Sequence, residues 1–255
     1  MSEIDYSLET VNLTKNFGGK MVANHINVKF KQGFVSGLIG PNGAGKTTLF
    51  NLISGNIKSD YGDVYLGGKK INKMSDFQRA RLGIARTWQM NRLFNSLTLI
   101  DNLIISQRSD YSDKSLSLGL FDFNRAKKDT LYEDIAANLL KRVGLLDYRN
   151  SVPAELSYGQ QKLVAIARAL MNDGNIIMLD EPMAGVEGRT HNKIKEIILE
   201  EKTRKKTIIV IEHNMRFIRE ICDEGIFLVN GQIKAVDSVA SLMNDVELTR
   251  IYFGG

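Results

Sequence analysis

The chain has 255 residues, 43% of them hydrophobic and 25% charged, which excludes a disordered or low-complexity protein. Lys and Arg number 34 against 29 Asp and Glu, and the formal charge of +5 is too mild to argue for nucleic-acid binding. No apolar run approaches the ~20 residues of a membrane span, residues 1–5 are acidic and lack the apolar region of a signal peptide, and the lone Cys222 excludes an intrachain disulfide and suits a reducing cytoplasm.

Residues 8–17 partly alternate and then reach Gly18-Gly19, which predicts a strand and a turn. Phe17, at the end of that strand, is either a core residue or an aromatic face for an adenine; stacking is worth ~1–3 kcal/mol in nucleic-acid binders. Residues 26–30 alternate cleanly, and Gln32-Gly33 turns them into the apolar run 34–39, read as a buried strand. Next comes Gly40-Pro41-Asn42-Gly43-Ala44-Gly45-Lys46-Thr47-Thr48, followed by a helical stretch at 49–53. Strand, glycine loop and helix are the context of a phosphate-binding loop. Its glycines let successive N–H groups point into one concavity, and the helix adds a partial positive charge. Lys46 is placed to reach the β- and γ-phosphates and the Thr47 hydroxyl to bind Mg²⁺. Residues 64–66 before Gly67-Gly68 are a hairpin candidate, so the opening reads as a small, partly antiparallel sheet beside the loop.

A short helix over 76–82, capped by Ser75 or Asp76, stops at Gly83. Residues 84–88 read as a strand with Gln89 just past it. Residues 99–105 read as a helix and 109–115 as a polar loop. Leu131, Ile135, Leu139, Leu140 and Val143 share one helical face that ends at Gly144. Strand signals are absent from this stretch, so 91–150 reads either as a mainly helical insertion or as the start of a separate fold; the strands that follow favour the insertion.

Ser157 is a good N-cap for a helix over 157–171, whose stripe is Leu163, Ile166, Ala167 and Leu170. Its free N–H groups suit a phosphate. Residues 176–179 form a continuous apolar strand that ends in Asp180 and Glu181. Ligands of open α/β sheets bind at the carboxyl ends of strands. Asp180 is thus placed to hold Mg²⁺ and Glu181 to activate a water. Residues 207–211 are a second such strand, ending in Glu212-His213-Asn214, and His213 falls beside the same site. The cationic run 202–206 reads as a solvated helix end. Residues 226–236 form a hairpin over Asn230-Gly231; Cys222 and Met178 read as core.

Taken together, these residues resemble the ATP-binding subunits of ABC transporters across essentially the whole chain. Gly40 to Thr47 is similar to the Walker A loop, and Thr48 follows it. Gln89 matches the Q-loop glutamine, a nucleotide- and metal-facing residue. Leu156-Ser157-Tyr158-Gly159-Gln160 is similar to the signature, in which Ser157, Gly159 and Gln160 face nucleotide. Asp180 and Glu181 match the Walker B aspartate and catalytic glutamate, His213 the switch histidine, and Phe17 the adenine-stacking aromatic.

The resemblance implies one α/β ATPase domain over 1–255, a P-loop core with a mainly parallel sheet and an N-terminal antiparallel β subdomain. Residues 1–90 and 151–255 would form the core, 91–150 the helical insertion, and the signature helix 157–171 the junction. It implies ATP and Mg²⁺ as cofactors. The implied partners are transmembrane permease subunits, a second ATP-binding subunit (identical or related), and through the complex a periplasmic or extracellular substrate-binding protein. No direct nucleic-acid contact is expected, and the implied location is the cytoplasmic face of the membrane. Two residues depart from the pattern: Tyr158 replaces a glycine, and Glu187 an aspartate. Arg86-Thr87-Trp88-Gln89, residues 181–186, residues 211–215 and the ending 251–255 resemble the branched-chain amino acid uptake subgroup. Urea and amide importers share much of this, and the lipopolysaccharide-export ATPase part of it. A soluble ABC-type ATPase acting on nucleic acid or the ribosome is the reading from another class; its usual long coiled coil or paired ATPase halves are absent here.

Overall fold

The computed structural model describes residues 6–87, 93–107 and 125–253. Gln89, the polar run 109–115 and the last two residues of the subgroup-like ending therefore lie outside the described residues. The chain forms two compact units, one from the described residues of Met1–Arg86, Gly174–Met183 and Ile198–Gly255, the other from those of Thr87–Asp173 and Ala184–Ile197.

The first unit holds two sheets. β1 (Tyr6–Phe17) and β2 (Lys20–Lys31) pair antiparallel across Gly18-Gly19, and β4 (Tyr61–Leu66) and β5 (Lys69–Lys70) complete the order β2-β1-β4-β5. The second sheet contains β3 (Val35–Ile39), β6 (Ile84–Arg86), β7 (Ile176–Asp180), β8 (Thr207–Ile211), β9 (Glu224–Val229) and β10 (Gln232–Asp237), in the order β10-β9-β3-β8-β7-β6. Only the β9–β10 hairpin is antiparallel. Its turn residues Asn230 and Gly231 have φ of 48° and 75°, as a two-residue type I′ turn requires.

β3, β7 and β8 are buried at every position because both faces are covered. Alternate side chains enter different cores. Leu38, Ile226 and Leu228 join Phe30, Phe50 and Leu52 beneath the antiparallel sheet and α1 (Lys46–Ser54). Ile39, Phe227 and Val229 join Ile218, Leu242 and Leu248 from α7 (Met215–Ile221), α8 (Val239–Asn244) and α9 (Val246–Phe253). α2 (Asp76–Arg81) begins at a capping box in which Ser75 and Gln78 satisfy each other's backbone.

In the second unit α3 (Leu99–Ile104), α4 (Arg125–Arg142) and α5 (Tyr158–Leu170) pack on one another, with no strand among the described residues. The buried face of α4 and the turn after it is Ala136, Leu139, Leu140 and Val143. Leu131, expected on that face, is exposed: it stands five residues, about 140° around the helix, from Ala136.

The cationic run 202–206 lies at the end of α6 (Gly188–Thr203), and Thr203, Arg204 and Lys205 are exposed, as expected of a solvated helix end. It also carries ion pairs, and Lys206 alone of its five residues is buried. Lys206, only 8% exposed at its side chain, meets Glu201 at 3.2 Å; Arg204 meets Glu200 at 2.8 Å; Lys202 meets Asp223 at 2.5 Å. The acids that pair with it lie one turn back on the same helix and just before β9.

Cys222 packs where a Cβ on Gly37 would come within 3.0 Å of its sulfur. Burial first, then the neighbouring Asp223, pushes its thiol up to about 12. Alkylation proceeds through the thiolate, so iodoacetamide at pH 8 should label the folded protein roughly a thousandfold more slowly than the urea-unfolded chain; mass spectrometry at timed quenches measures the ratio.

Candidate active site

The glycine loop joins β3 to α1. Gly40 has φ of 151°, and a Cβ there would come within 2.1 Å of the Leu228 carbonyl. Gly45, at φ 104°, is the N-cap of α1, and its Cβ would meet the Val22 carbonyl at 2.5 Å. The backbone itself therefore fills the space beside both residues. The first turn of α1 carries no acid, so its free N–H groups and dipole are unopposed within the helix. Lys46 is 6% exposed, and its Nζ donates to the carbonyls of Gly40 at 2.7 Å and Pro41 at 3.0 Å. Burial lowers the pKa of this ammonium, and the charges of Glu181 and Asp180 oppose that shift.

Asp180 ends β7 at 3% exposure. Its Oδ2 lies 3.2 Å from Nη2 of Arg86, the last residue of β6. Arg86 also donates to Asn51 Oδ1 at 2.7 Å and Ser54 Oγ at 2.9 Å, and its guanidinium lies 5.5 Å from the Phe50 ring centroid. One planar cation thus ties β6 and β7 to α1.

Glu181 follows with φ of 48°, a left-handed conformation that costs of order 1–3 kcal/mol for a residue of this kind. Its N–H bonds the Ile211 carbonyl at 2.9 Å and so extends the β7–β8 pairing. Its Oε1 lies 3.5 Å from His213 Nε2. The buried Glu212 accepts three backbone N–H groups: Met183 at 2.6 Å on Oε1, and His213 at 3.0 Å and Asn214 at 3.3 Å on Oε2. Tyr252, on α9, donates its hydroxyl to the His213 carbonyl at 3.3 Å.

Within the first unit the structure thus sets residues 40–48, Asp180, Glu181 and His213 at the carboxyl ends of β3, β7 and β8. Phe17 is 47% exposed, with Lys15 Nζ 5.4 Å from its ring centroid, so it is not a core residue. In the second unit Ser157 Oγ accepts from Gln160 N at 3.3 Å while Gln160 Oε1 accepts from Ser157 N at 2.9 Å. Sequence reasoning found the cap and missed this reciprocal box. Gly159 leaves room for Thr190, whose Cγ2 would lie 3.1 Å from a Cβ at 159. Sequence reasoning also gave no role to Arg86, Glu212 or Tyr252. The only signal for the first two was a charged residue at the end of an apolar strand.

The loop suits a polyphosphate: it offers N–H groups, a helix terminus and a buried ammonium. Asp180 and Thr47 offer the hard oxygens that Mg²⁺ takes, and Mg²⁺ bound with phosphates needs only one or two carboxylates. Among the described residues no group of three or more His, Cys, Asp or Glu could hold a metal by itself, and no helix is long and apolar enough to cross a membrane.

A family model described as ABC transporter matches residues 23–184. The chain is 36% identical, over 95% of each sequence, to the high-affinity branched-chain amino acid transport ATP-binding protein LivG of Salmonella typhimurium. A solved nucleotide-free ATP-binding cassette from an ABC transporter is similar to it at a TM-score of 0.86 and 31% identity, covering 98% of this chain and 100% of that one. The ADP conformation of an ATP-binding cassette of an ABC transporter gives 0.85 at 31% identity, covering 98% and 99%.

Arg86→Met should destabilise the protein by about 3–5 kcal/mol, the range for removing one member of a buried ion pair. Urea unfolding without nucleotide, compared with wild type, measures it.

Proposed function

The chain belongs to the ABC transporter family as an ATP-binding subunit, and on that premise we propose that it powers an importer of branched-chain amino acids. As an ABC transporter ATPase it couples ATP hydrolysis to transport. The substrate class rests on the likeness to the LivG protein of Salmonella typhimurium, whose name carries that transport. The hydrolytic roles rest on one observation: Lys46, Asp180, Glu181 and His213 meet at neighbouring strand ends, with Glu181 and His213 3.5 Å apart.

The backbone N–H groups of Gly40, Pro41-flanked Asn42, Gly43, Ala44 and Gly45, with those of Lys46, Thr47 and Thr48, cradle the phosphates. Lys46 turns its ammonium from the carbonyls of Gly40 and Pro41 to phosphate oxygens. Thr47 and Asp180 would hold Mg²⁺, and Gln89 would serve the same ion and the nucleotide. The bound ion supplies charge neutralisation on the phosphate oxygens. Glu181 orients the attacking water and accepts its proton, and His213 holds the Glu181 carboxylate in place. Phe17 offers its exposed face to the adenine.

Ser157, Gly159 and Gln160 serve the nucleotide held by a second ATP-binding subunit, identical or related. The helical insertion 91–150 meets the permease subunits at the cytoplasmic face of the membrane. The substrate-binding protein, periplasmic or extracellular, joins through that complex. No contact with nucleic acid is part of this reading.

Glu181→Gln should lower ATP turnover by roughly 10²–10⁴ while ATP binding persists; turnover equal to wild type would remove Glu181 as the base. In cells that lack this gene, wild type should restore leucine uptake and Glu181→Gln should not. Restored urea uptake or lipopolysaccharide export without leucine uptake would move the substrate. Phe17→Ala should weaken ATP binding by roughly 5- to 150-fold, the equivalent of a lost stacking contact, measured by calorimetry; unchanged affinity would remove the stacking role.

A further inference from the structure

We propose that Glu212 is a positioning residue that locks the turn after Glu181 to the turn that carries His213, and so sets the geometry of that pair. The inference rests on the reading of Glu181 and His213 as the hydrolytic pair.

Glu212 is 4% exposed and is the first residue after β8. Its two carboxylate oxygens serve two different segments. Oε1 accepts from Met183 N, two residues beyond Glu181; Oε2 accepts from His213 N and Asn214 N. A carboxylate accepts on both oxygens, whereas an amide of the same shape accepts on one and presents donors on the other. Glutamine could therefore hold one turn but would set an N–H₂ against the N–H groups of the other. A neutral residue of equal size cannot make the bridge.

The segments that it joins need joining. Glu181 sits at φ 48°, a conformation that persists only where the surroundings over-determine it. The Glu181 N–H to Ile211 carbonyl bond fixes one side of this residue, and Glu212 fixes the chain on the other side through Met183. The His213 side chain is 43% exposed, so packing alone does not orient it. Its N–H is held by Glu212 and its carbonyl by Tyr252. Asn214 then caps α7, accepting from Phe217 N at 3.1 Å. Glu181 and His213 thus face each other because one buried carboxylate holds both backbones from behind.

The test uses steady-state hydrolysis by the full chain with Mg-ATP, and ATP affinity measured separately. Glu212→Gln should lower kcat roughly 10- to 100-fold, as a misplaced reacting group does, with ATP affinity within about threefold of wild type. In a double-mutant cycle, adding Glu212→Gln to His213→Ala should cost far less than it does alone, because both act through one pair. An unchanged kcat overturns the proposal. So does an additive cycle in which kcat, ATP affinity and melting temperature fall together, the pattern of a purely structural role. Glu181→Gln is assayed beside them. If it turns over like wild type, the hydrolytic reading fails. If it is inactive while Glu212→Gln is normal, only the positioning role fails. If Glu212→Gln yields no folded protein, amide exchange of the wild type followed by NMR decides. Protected N–H groups at Met183, His213 and Asn214 support the bridge, and free exchange at these three overturns it.

Discussion

A strand buried on both faces cannot carry an unpaired charge until it ends. β3, β7 and β8 are covered at every residue, and β3 itself tolerates the Ser36 hydroxyl only because it donates to Glu224 at 2.8 Å. The charged chemistry of this half of the molecule is therefore confined to strand ends. At the carboxyl ends it comes all at once, with the glycine loop, Asp180-Glu181 and Glu212-His213 each following a strand on adjacent tracks of one sheet. Parallel pairing aligns those ends. The site is in this sense a consequence of the sheet.

Concentrating charge at a buried edge creates a desolvation problem that the structure solves locally. Lys46 rests on two backbone carbonyls, with Asp180 and Glu181 partly compensating its burial. Asp180 has Arg86, whose other terminal nitrogen donates to Asn51 and Ser54. Glu212 has three N–H donors. Glu181 and His213, by contrast, keep solvent exposure at 22% and 43% of their side chains. Lys46, Asp180 and Glu212 are thus buried and bonded, and the pair assigned to the attacking water stays accessible.

Much of this was legible in the sequence because it is written in local patterns. Continuous apolar runs gave β3, β7 and β8; Asn230-Gly231 gave the hairpin; Ser75 and Ser157 gave two helix starts. The loop and the acids at strand ends mark the site in the sequence itself. What escaped depends on partners distant in sequence. Arg86 and Asp180 are separated by 94 positions and Met183 and Glu212 by 29, so neither pairing leaves a periodic trace. The ion pairs of the run 202–206 escaped for a related reason: a string of cations does not show which acids face it. Leu131 shows the limit of periodicity itself, since an apolar spacing of four drifts around the helix and only part of it meets a neighbour.

Tyr158 stands where the signature pattern has a glycine. A tyrosine at the first position of α5 asks where its ring can go without crowding the cap made by Ser157 and Gln160. The ring is 49% exposed and lies against Gly185, where a Cβ would come within 3.0 Å of it. Gly185 has φ of 70°, so it leaves both the space and the backbone path. Lys162 Nζ lies 5.6 Å from the same ring centroid, a cation–π distance. Tyr158 is thus accommodated by a glycine and a lysine of its own unit, and the capping box beside it keeps both of its hydrogen bonds. A larger residue here does not disturb the helix start; it transfers the need for glycine from position 158 to position 185.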